Sequence, residues 1–171
     1  MLIWLTGLSG SGKTTIAKAI VALAAANNNQ IVLIDGDVVR ELFGGNLGFD
    51  EQSRRQQIGR IQRLAHWISQ QNIGVVIAAL YAHPDLLSWN RNNLPGYFEV
   101  YVDTPLRIIE SRDTKGLYKK ARDGKLDNVV GLDIPWHAPL EPDYVVNSDG
   151  TLSPYQIATN ILLRLSNITR P

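Results

Sequence analysis

Residues Gly7-Leu8-Ser9-Gly10-Ser11-Gly12-Lys13-Thr14 match the pattern G-x-x-x-x-G-K-[ST] at every fixed position, between the apolar run Leu2-Ile3-Trp4-Leu5 and a helical pattern. No other segment constrains the fold as strongly. Glycines let the backbone turn its N–H groups inward into an anion-binding nest, and the following helix adds the positive end of its dipole. Such a loop suits the phosphates of a nucleoside triphosphate. Lys13 is expected to reach the β- and γ-phosphates and Thr14 to ligate Mg²⁺, with Gly7, Leu8, Ser9, Gly10, Ser11, Gly12 and Thr15 completing the cradle. A plain glycine-rich turn would explain neither the Lys-Thr ending nor the strand in front.

The 171 residues are 44% hydrophobic, without a Ser/Pro-rich linker or a shift in composition, which predicts a single domain spanning 1–171 with a real core. Seventeen basic residues against 16 acidic ones leave a net charge of +1, so no global field favours nucleic acid or a membrane. Any anion site must be local. Cysteine is absent, which excludes disulfides and thiolate metal sites. The apolar N-terminal segment lacks a preceding basic region and reads as a strand instead of a signal peptide, and the later apolar run around 74–80 is too short for a bilayer. A cytoplasmic location is the expectation.

Five short apolar runs, at residues 2–5, 31–34, 75–80, 98–102 and 144–146, read as strands buried on both faces. Helical patterns are expected at 13–26, 51–71, 84–93, 105–112 and 154–165, the last three opening on proline. The alternation predicts an α/β fold: three layers, with a five-stranded parallel sheet covered by helices on both faces. Ligands of such sheets gather beyond the carboxyl ends of the strands. The loops after Leu5, Ile34, Leu80 and Val102 should therefore meet.

After the second expected strand stands Asp35-Gly36-Asp37-Val38-Val39-Arg40. Two carboxylates near a γ-phosphate can divide the labour of a kinase: one can hold Mg²⁺ through water, the other can take the proton of an attacking hydroxyl, and Arg40 can clamp an anionic acceptor. The competing reading is a glycine turn whose aspartates cap a helix. Gly48-Phe49-Asp50 then precedes the long helix, where Arg54 in the first turn can point back toward Arg40.

Together with Leu47-Gly48-Phe49, Val102-Asp103-Thr104-Pro105-Leu106 and the run from Arg112-Asp113 through Lys115-Gly116-Leu117-Tyr118-Lys119-Lys120-Ala121-Arg122, these motifs resemble the adenylylsulfate kinases over nearly the whole chain. The resemblance implies a nucleoside-monophosphate-kinase-like P-loop fold and Mg-ATP-dependent phosphorylation of the ribose 3′-hydroxyl of adenosine 5′-phosphosulfate. It implies Lys13, Asp35 and Asp37 as catalytic residues, with Asp37 facing the 3′-hydroxyl and Asp35 in support, Thr14 and Asp35 at the Mg²⁺ ion, and Arg112 at the ATP site. Around an anionic nucleotide acceptor it implies Asp37, Arg40, Phe49, Arg54, Gln57, Leu80, Tyr81, His83, Lys115, Leu117, Val129 and Val130. Phe49 would stack on the base, and Lys115, Lys119 and Arg122 would ride on a mobile lid at about 113–135 that excludes water. A homodimer is left open as the assembly.

The departures from the family pattern gather on the acceptor side. Val38 and Gln57 stand where the family usually has asparagine, Leu80-Tyr81-Ala82-His83-Pro84 replaces a Ser-Pro-Tyr-Arg type motif, and Val129 replaces an aromatic of the base sandwich. One stacking face is worth about 1–3 kcal/mol. The same 3′-phosphorylation of another modified nucleotide, such as cytidine diphosphoramidate, is therefore the alternative. A GTPase-like switch lacks its Asn-Lys-x-Asp guanine reader, and a non-catalytic regulator would be expected to lose Lys13 or Asp37. His66 reads as a packing or surface residue.

Overall fold

A computed structural model describes residues 1–113 and 115–168, so residue 114 of the expected lid and residues 169–171 of the expected domain lie outside the described residues. Five parallel strands form one sheet: β1 (Leu2–Thr6), β2 (Ile31–Asp35), β3 (Gly74–Ala79), β4 (Tyr97–Asp103) and β5 (Tyr144–Asn147), in the order β2-β3-β1-β4-β5. Central β1 pairs Leu2 with Val75 on one side and with Tyr97 on the other. Helices α1 (Lys13–Ala26), α3 (Glu51–Ser69), α4 (Pro84–Asn93), α5 (Leu106–Arg112) and α7 (Pro154–Ile168) follow the expected patterns closely. Two short helices, α2 (Gly36–Leu42) and α6 (Leu117–Arg122), stand outside the five expected helical patterns, and α2 is the helix that the aspartates cap in the competing reading of Asp35 and Asp37.

Side chains alternate across a strand, so β1 feeds two cores. Ile3 and Leu5 pack with Ile16, Ile20, Ile157 and Ile161 beneath α1 and α7. Leu2 and Trp4 pack with Ile58, Ile61 and Ala65 of α3 on the opposite face. Trp4 is fully buried, as a core residue should be. The expectation that all five strands are buried on both faces holds at the centre and fails at the margins. β2 and β5 are edge strands, and Val32 and Val145 remain partly exposed there.

The long helix α3 starts where Asp50 accepts from the Ser53 backbone N–H at 2.9 Å and from its hydroxyl at 2.6 Å. That cap satisfies an N–H the helix cannot pair internally, and its loss typically costs about 1 kcal/mol. It also holds Phe49 and Arg54 at the carboxyl edge of the sheet. Among the described residues no helix is long and apolar enough to cross a membrane.

Candidate functional site

The loop between β1 and α1 is tightly built. A side chain at Gly7 would meet the Val102 carbonyl oxygen at 2.5 Å, so β4 can run beside the loop only with glycine there. Gly12 adopts φ 96° and ends the loop, and no side chain caps the first turn of α1. Those uncapped N–H groups are what an anion would use. Lys13 Nζ donates to the Leu8 carbonyl at 2.7 Å and to Ser11 Oγ at 3.3 Å, folding back over the loop it would otherwise share with phosphates. Burial lowers its pKa to about 8, against the opposing pull of Asp37 and Asp35.

Thr14 Oγ1 donates to Asp35 Oδ2 at 2.6 Å, bringing two hard oxygen donors together at the start of α1. Asp35 Oδ1 also accepts from the Asp37 backbone N–H at 2.9 Å and so caps α2. The capping reading and the functional reading are thus compatible, since one carboxylate oxygen does each. Asp37 points the other way, and Lys115 Nζ donates to its Oδ2 at 2.5 Å. This hydrogen bond, more than the surrounding charges, raises the Lys115 pKa.

Two cavities adjoin at this pair. The first, of about 600 Å³, is lined by Ser9, Gly10, Gly12, Lys13, Thr14, Thr15, Asp35 and Arg112 of the expected residues. The second, of about 470 Å³, is lined by Arg40, Phe49, Arg54, Gln57, Tyr81, Val129 and Val130. Ser9, Gly36, Asp37, Leu80, Lys115 and Leu117 line both. Asp37 therefore stands where one chamber meets the other.

The second cavity has a cationic rim around one aromatic face. The Arg40 guanidinium lies 4.5 Å from the Phe49 ring centroid and that of Arg54 5.7 Å, within cation–π range. Arg40 Nη1 donates to the Leu47 and Gly48 carbonyls at 2.7 and 2.9 Å. Arg54 Nε donates to the Phe49 carbonyl and Nη2 to the Asn128 carbonyl, both at 2.7 Å, tying α3 to the segment after α6. Burial, then the neighbouring Arg40, lowers the Arg54 pKa. Gln57 donates to the Gly36 carbonyl at 3.1 Å, leaving its buried Oε1 unpartnered.

Several expected residues stand elsewhere. Leu8 turns into the apolar cores and Ser11 is buried beneath Lys13, so they build the loop without lining the first cavity. His83 lies outside the lining of the second cavity: its ring accepts from the Asp85 backbone N–H at 3.3 Å to cap α4 and meets His137 edge-on at 5.2 Å. The proline at 84 starts that helix, which leaves His83 as its cap. Val38 is exposed and lines neither cavity. Arg122 pairs with Glu110 at 2.7 Å, and Lys119 lines neither cavity, so Lys115 alone of the three basic lid residues faces the site. His66 hydrogen-bonds Gln70 at 2.8 Å on the surface of α3.

Other lining residues had not been singled out. Ser148, Gly150, Leu152 and Ser153 wall the first cavity opposite the loop, with Arg112 3.5 Å from where a Gly150 Cβ would lie. The signal was available: this loop also leaves the carboxyl end of a strand, β5. Leu126, Asp127 and Asn128 line the second cavity, and Tyr118 donates to the Ser9 carbonyl at 3.0 Å, fastening α6 to the phosphate loop.

Comparison with known proteins gives a consistent picture. The family model described as adenylylsulphate kinase matches residues 1–147. The chain is 44% identical over 144 residues to an adenylyl-sulfate kinase of Vibrio cholerae, covering 83% of this chain and 67% of that protein. An adenylyl-sulfate kinase of Yersinia pestis is 37% identical over 172 residues, 99% of this chain and 78% of the relative. The Mycobacterium tuberculosis APS kinase solved with AMPPNP and APS superposes with TM-score 0.90 at 29% identity, covering 96% of each chain. Shikimate kinase from Aquifex aeolicus shares the fold, with TM-score 0.60 at 18% identity over 98% of each chain.

Proposed function

Because this chain belongs to the adenylylsulphate kinase family, we propose that it transfers the γ-phosphoryl group of ATP to the ribose 3′-hydroxyl of adenosine 5′-phosphosulfate. The observation that carries the reading is the meeting of a phosphate-loop cavity and an arginine-rimmed cavity at Asp37. In the first, the triphosphate lies along the α1 N-terminus with Lys13 released from Leu8 to the β- and γ-phosphates, and Arg112 and the loop after β5 hold the base. In the second, Phe49 stacks on the acceptor base, and Arg40 and Arg54 neutralise its anionic tail.

Thr14 and Asp35 fit a Mg²⁺ ion, which takes one or two protein oxygens and completes its shell with phosphate and water. Among the described residues no cluster of three or more His, Cys, Asp or Glu forms an all-protein cage, which agrees with such a shared site. When bound, the ion would supply positive charge that offsets the negative charge developing on the transferred phosphoryl group. Asp37 accepts the proton of the attacking 3′-hydroxyl as its oxygen bonds to phosphorus and the bond to the departing ADP oxygen breaks. To do so it must part from Lys115, whose ammonium is then free for the incoming anions. Tyr118, anchored on Ser9, keeps α6 over the junction, and closure there limits transfer to water.

The test is an ADP-release assay over adenosine 5′-phosphosulfate, cytidine diphosphate analogues and nucleoside monophosphates, with Asp37→Asn beside the wild type. Adenosine 5′-phosphosulfate should give the highest kcat/KM, and loss of the base should cost about 10²–10⁴-fold in turnover. Near-normal turnover by Asp37→Asn would remove it from that role. One observation favours a second reading: Val129 lines the second cavity where an aromatic was expected, so a smaller cytidine-type acceptor loses less stacking than adenine. Higher kcat/KM with the cytidine analogue would select it.

A further inference from the structure

Tyr81 lies two residues beyond the end of β3, is 4% exposed, and lines the second cavity. Its phenol donates to Glu51 Oε1 at 3.0 Å. Glu51 is the first residue of α3, next to the capping Asp50 and two residues after Phe49. The same carboxylate oxygen lies 3.6 Å from Arg55 Nε, and Arg55 Nη1 lies 3.6 Å from Asp85 at the start of α4. Phe49 itself is half exposed, at 53%, and its backbone is tied to α3 through Arg54. The aromatic platform is thus held from both sides, by Arg40 on the Leu47 and Gly48 carbonyls and by Arg54 in the first turn of α3.

We propose that Tyr81 is a positioning residue for the acceptor: through its hydrogen bond to Glu51 it pins the first turn of α3 to the end of β3, and so sets Phe49 and Arg54 relative to Asp37. The proposal rests on the reading of the second cavity as the acceptor site. Physically it joins a buried part to an exposed one. The sheet end is buried and hydrogen-bonded, and Thr6 Oγ1 also donates to the adjoining Leu80 carbonyl at 3.3 Å, whereas the segment before α3 is a solvent-exposed loop. A bond from a neutral donor to a charged carboxylate is among the stronger ones, and it removes motion from the rim before the acceptor arrives. Burial and the Glu51 contact raise the phenol's pKa to about 12, so the donor keeps its proton over any working pH.

Tyr81→Phe keeps the ring and deletes the donor. It should raise KM for adenosine 5′-phosphosulfate about tenfold, leave KM for ATP within about twofold, and lower kcat by less than about twofold. Glu51→Gln keeps a weaker, neutral acceptor for the phenol and should raise KM for adenosine 5′-phosphosulfate less than Tyr81→Phe does. Glu51→Ala should reproduce the Tyr81→Phe shift, and the double variant should go no further, as expected for one shared interaction. In the ligand-free protein, Tyr81→Phe should speed hydrogen exchange at the Ser53 and Arg54 amides and leave those of β1 unchanged. Equal rises in both KM values, no rise in either, or unchanged exchange at Ser53 and Arg54 would overturn the proposal. If the wild type fails to turn over adenosine 5′-phosphosulfate, the acceptor reading falls, and the exchange measurement still decides whether Tyr81 holds the rim.

Discussion

At the residue scale, Lys13 carries a conflict between stability and chemistry. An ammonium group buried in the phosphate loop without a full counter-charge destabilises the ligand-free fold, and burial lowers its pKa to about 8 from 10.5. The folded state therefore binds fewer protons than the unfolded state between these values, and stability rises as pH climbs through that window. Below about pH 8 the whole penalty is felt, on the order of 3 kcal/mol for a shift of that size. Lys13→Met should abolish phosphoryl transfer yet stabilise the ligand-free protein by about 1–2 kcal/mol at pH 7, since its two hydrogen bonds offset part of the penalty. Urea unfolding from pH 7 to 10.5 checks it: the wild type should gain stability over the range and the variant should not. Roles for Lys13 and Thr14 could be suggested from residue type and spacing, whereas the choice between Asp35 and Asp37 came only with the family resemblance. His83 could not be set aside that way, because an imidazole that caps a helix and one that faces a ligand look alike in a sequence.

At the element scale, the long helices were legible because Ile58, Ile61, Ala65 and Ile68 repeat at helical spacing, and Asp50 marks the start of α3. Helices α2 and α6 have seven and six residues, too short for a period to declare itself, and each begins on or just after a glycine. The segment after α6 shows what this hides. Val129 was read as a missing half of a base clamp, yet it is also buried with Ile109 and Tyr118 in a small core beneath α6. Adding bulk there costs about 1–3 kcal/mol through overpacking. Val129→Phe should lower the melting temperature while raising kcat/KM for the adenosine acceptor relative to a cytidine one. An unchanged ratio, whatever the loss of stability, would remove Val129 from acceptor selection.

At the scale of the whole molecule, the site sits at one end of the sheet, and a polar network ties β4 and the residue before β5 to α3 and α4. Tyr97 donates to buried Glu99 at 2.8 Å, Arg91 approaches Glu99 at 3.5 Å and Asp143 at 3.2 Å, and Asp143 accepts from the Glu99 backbone N–H at 2.7 Å. Asn90 extends the network to Gln62 of α3, which donates to it at 2.7 Å. Burial raises the Glu99 pKa despite these partners. For an acid whose folded value exceeds its unfolded one, stability is fully present below the unfolded value of 4.5 and is lost as pH rises through the folded value. Glu99→Gln keeps an acceptor for Tyr97 without a charge to desolvate, so its stability should depend less on pH between 4 and 7 in denaturant titrations. A slope equal to that of the wild type would show that Glu99 is not the titrating group.

Sequence specified the strand, loop and helix of the G-x-x-x-x-G-K-[ST] motif, the alternation of β and α elements, and the residue types gathered near Asp35 and Asp37. These are local: spacing and glycine conformation settle them within a few residues. Tertiary structure alone decided which long-range partners meet. Asp37 faces Lys115 across 78 positions, Arg54 reaches Asn128 across 74, and Tyr81 reaches Glu51 across 30. Such contacts depend on how strand ends and helix starts converge at the sheet's carboxyl edge, and no pattern within a single segment encodes that convergence.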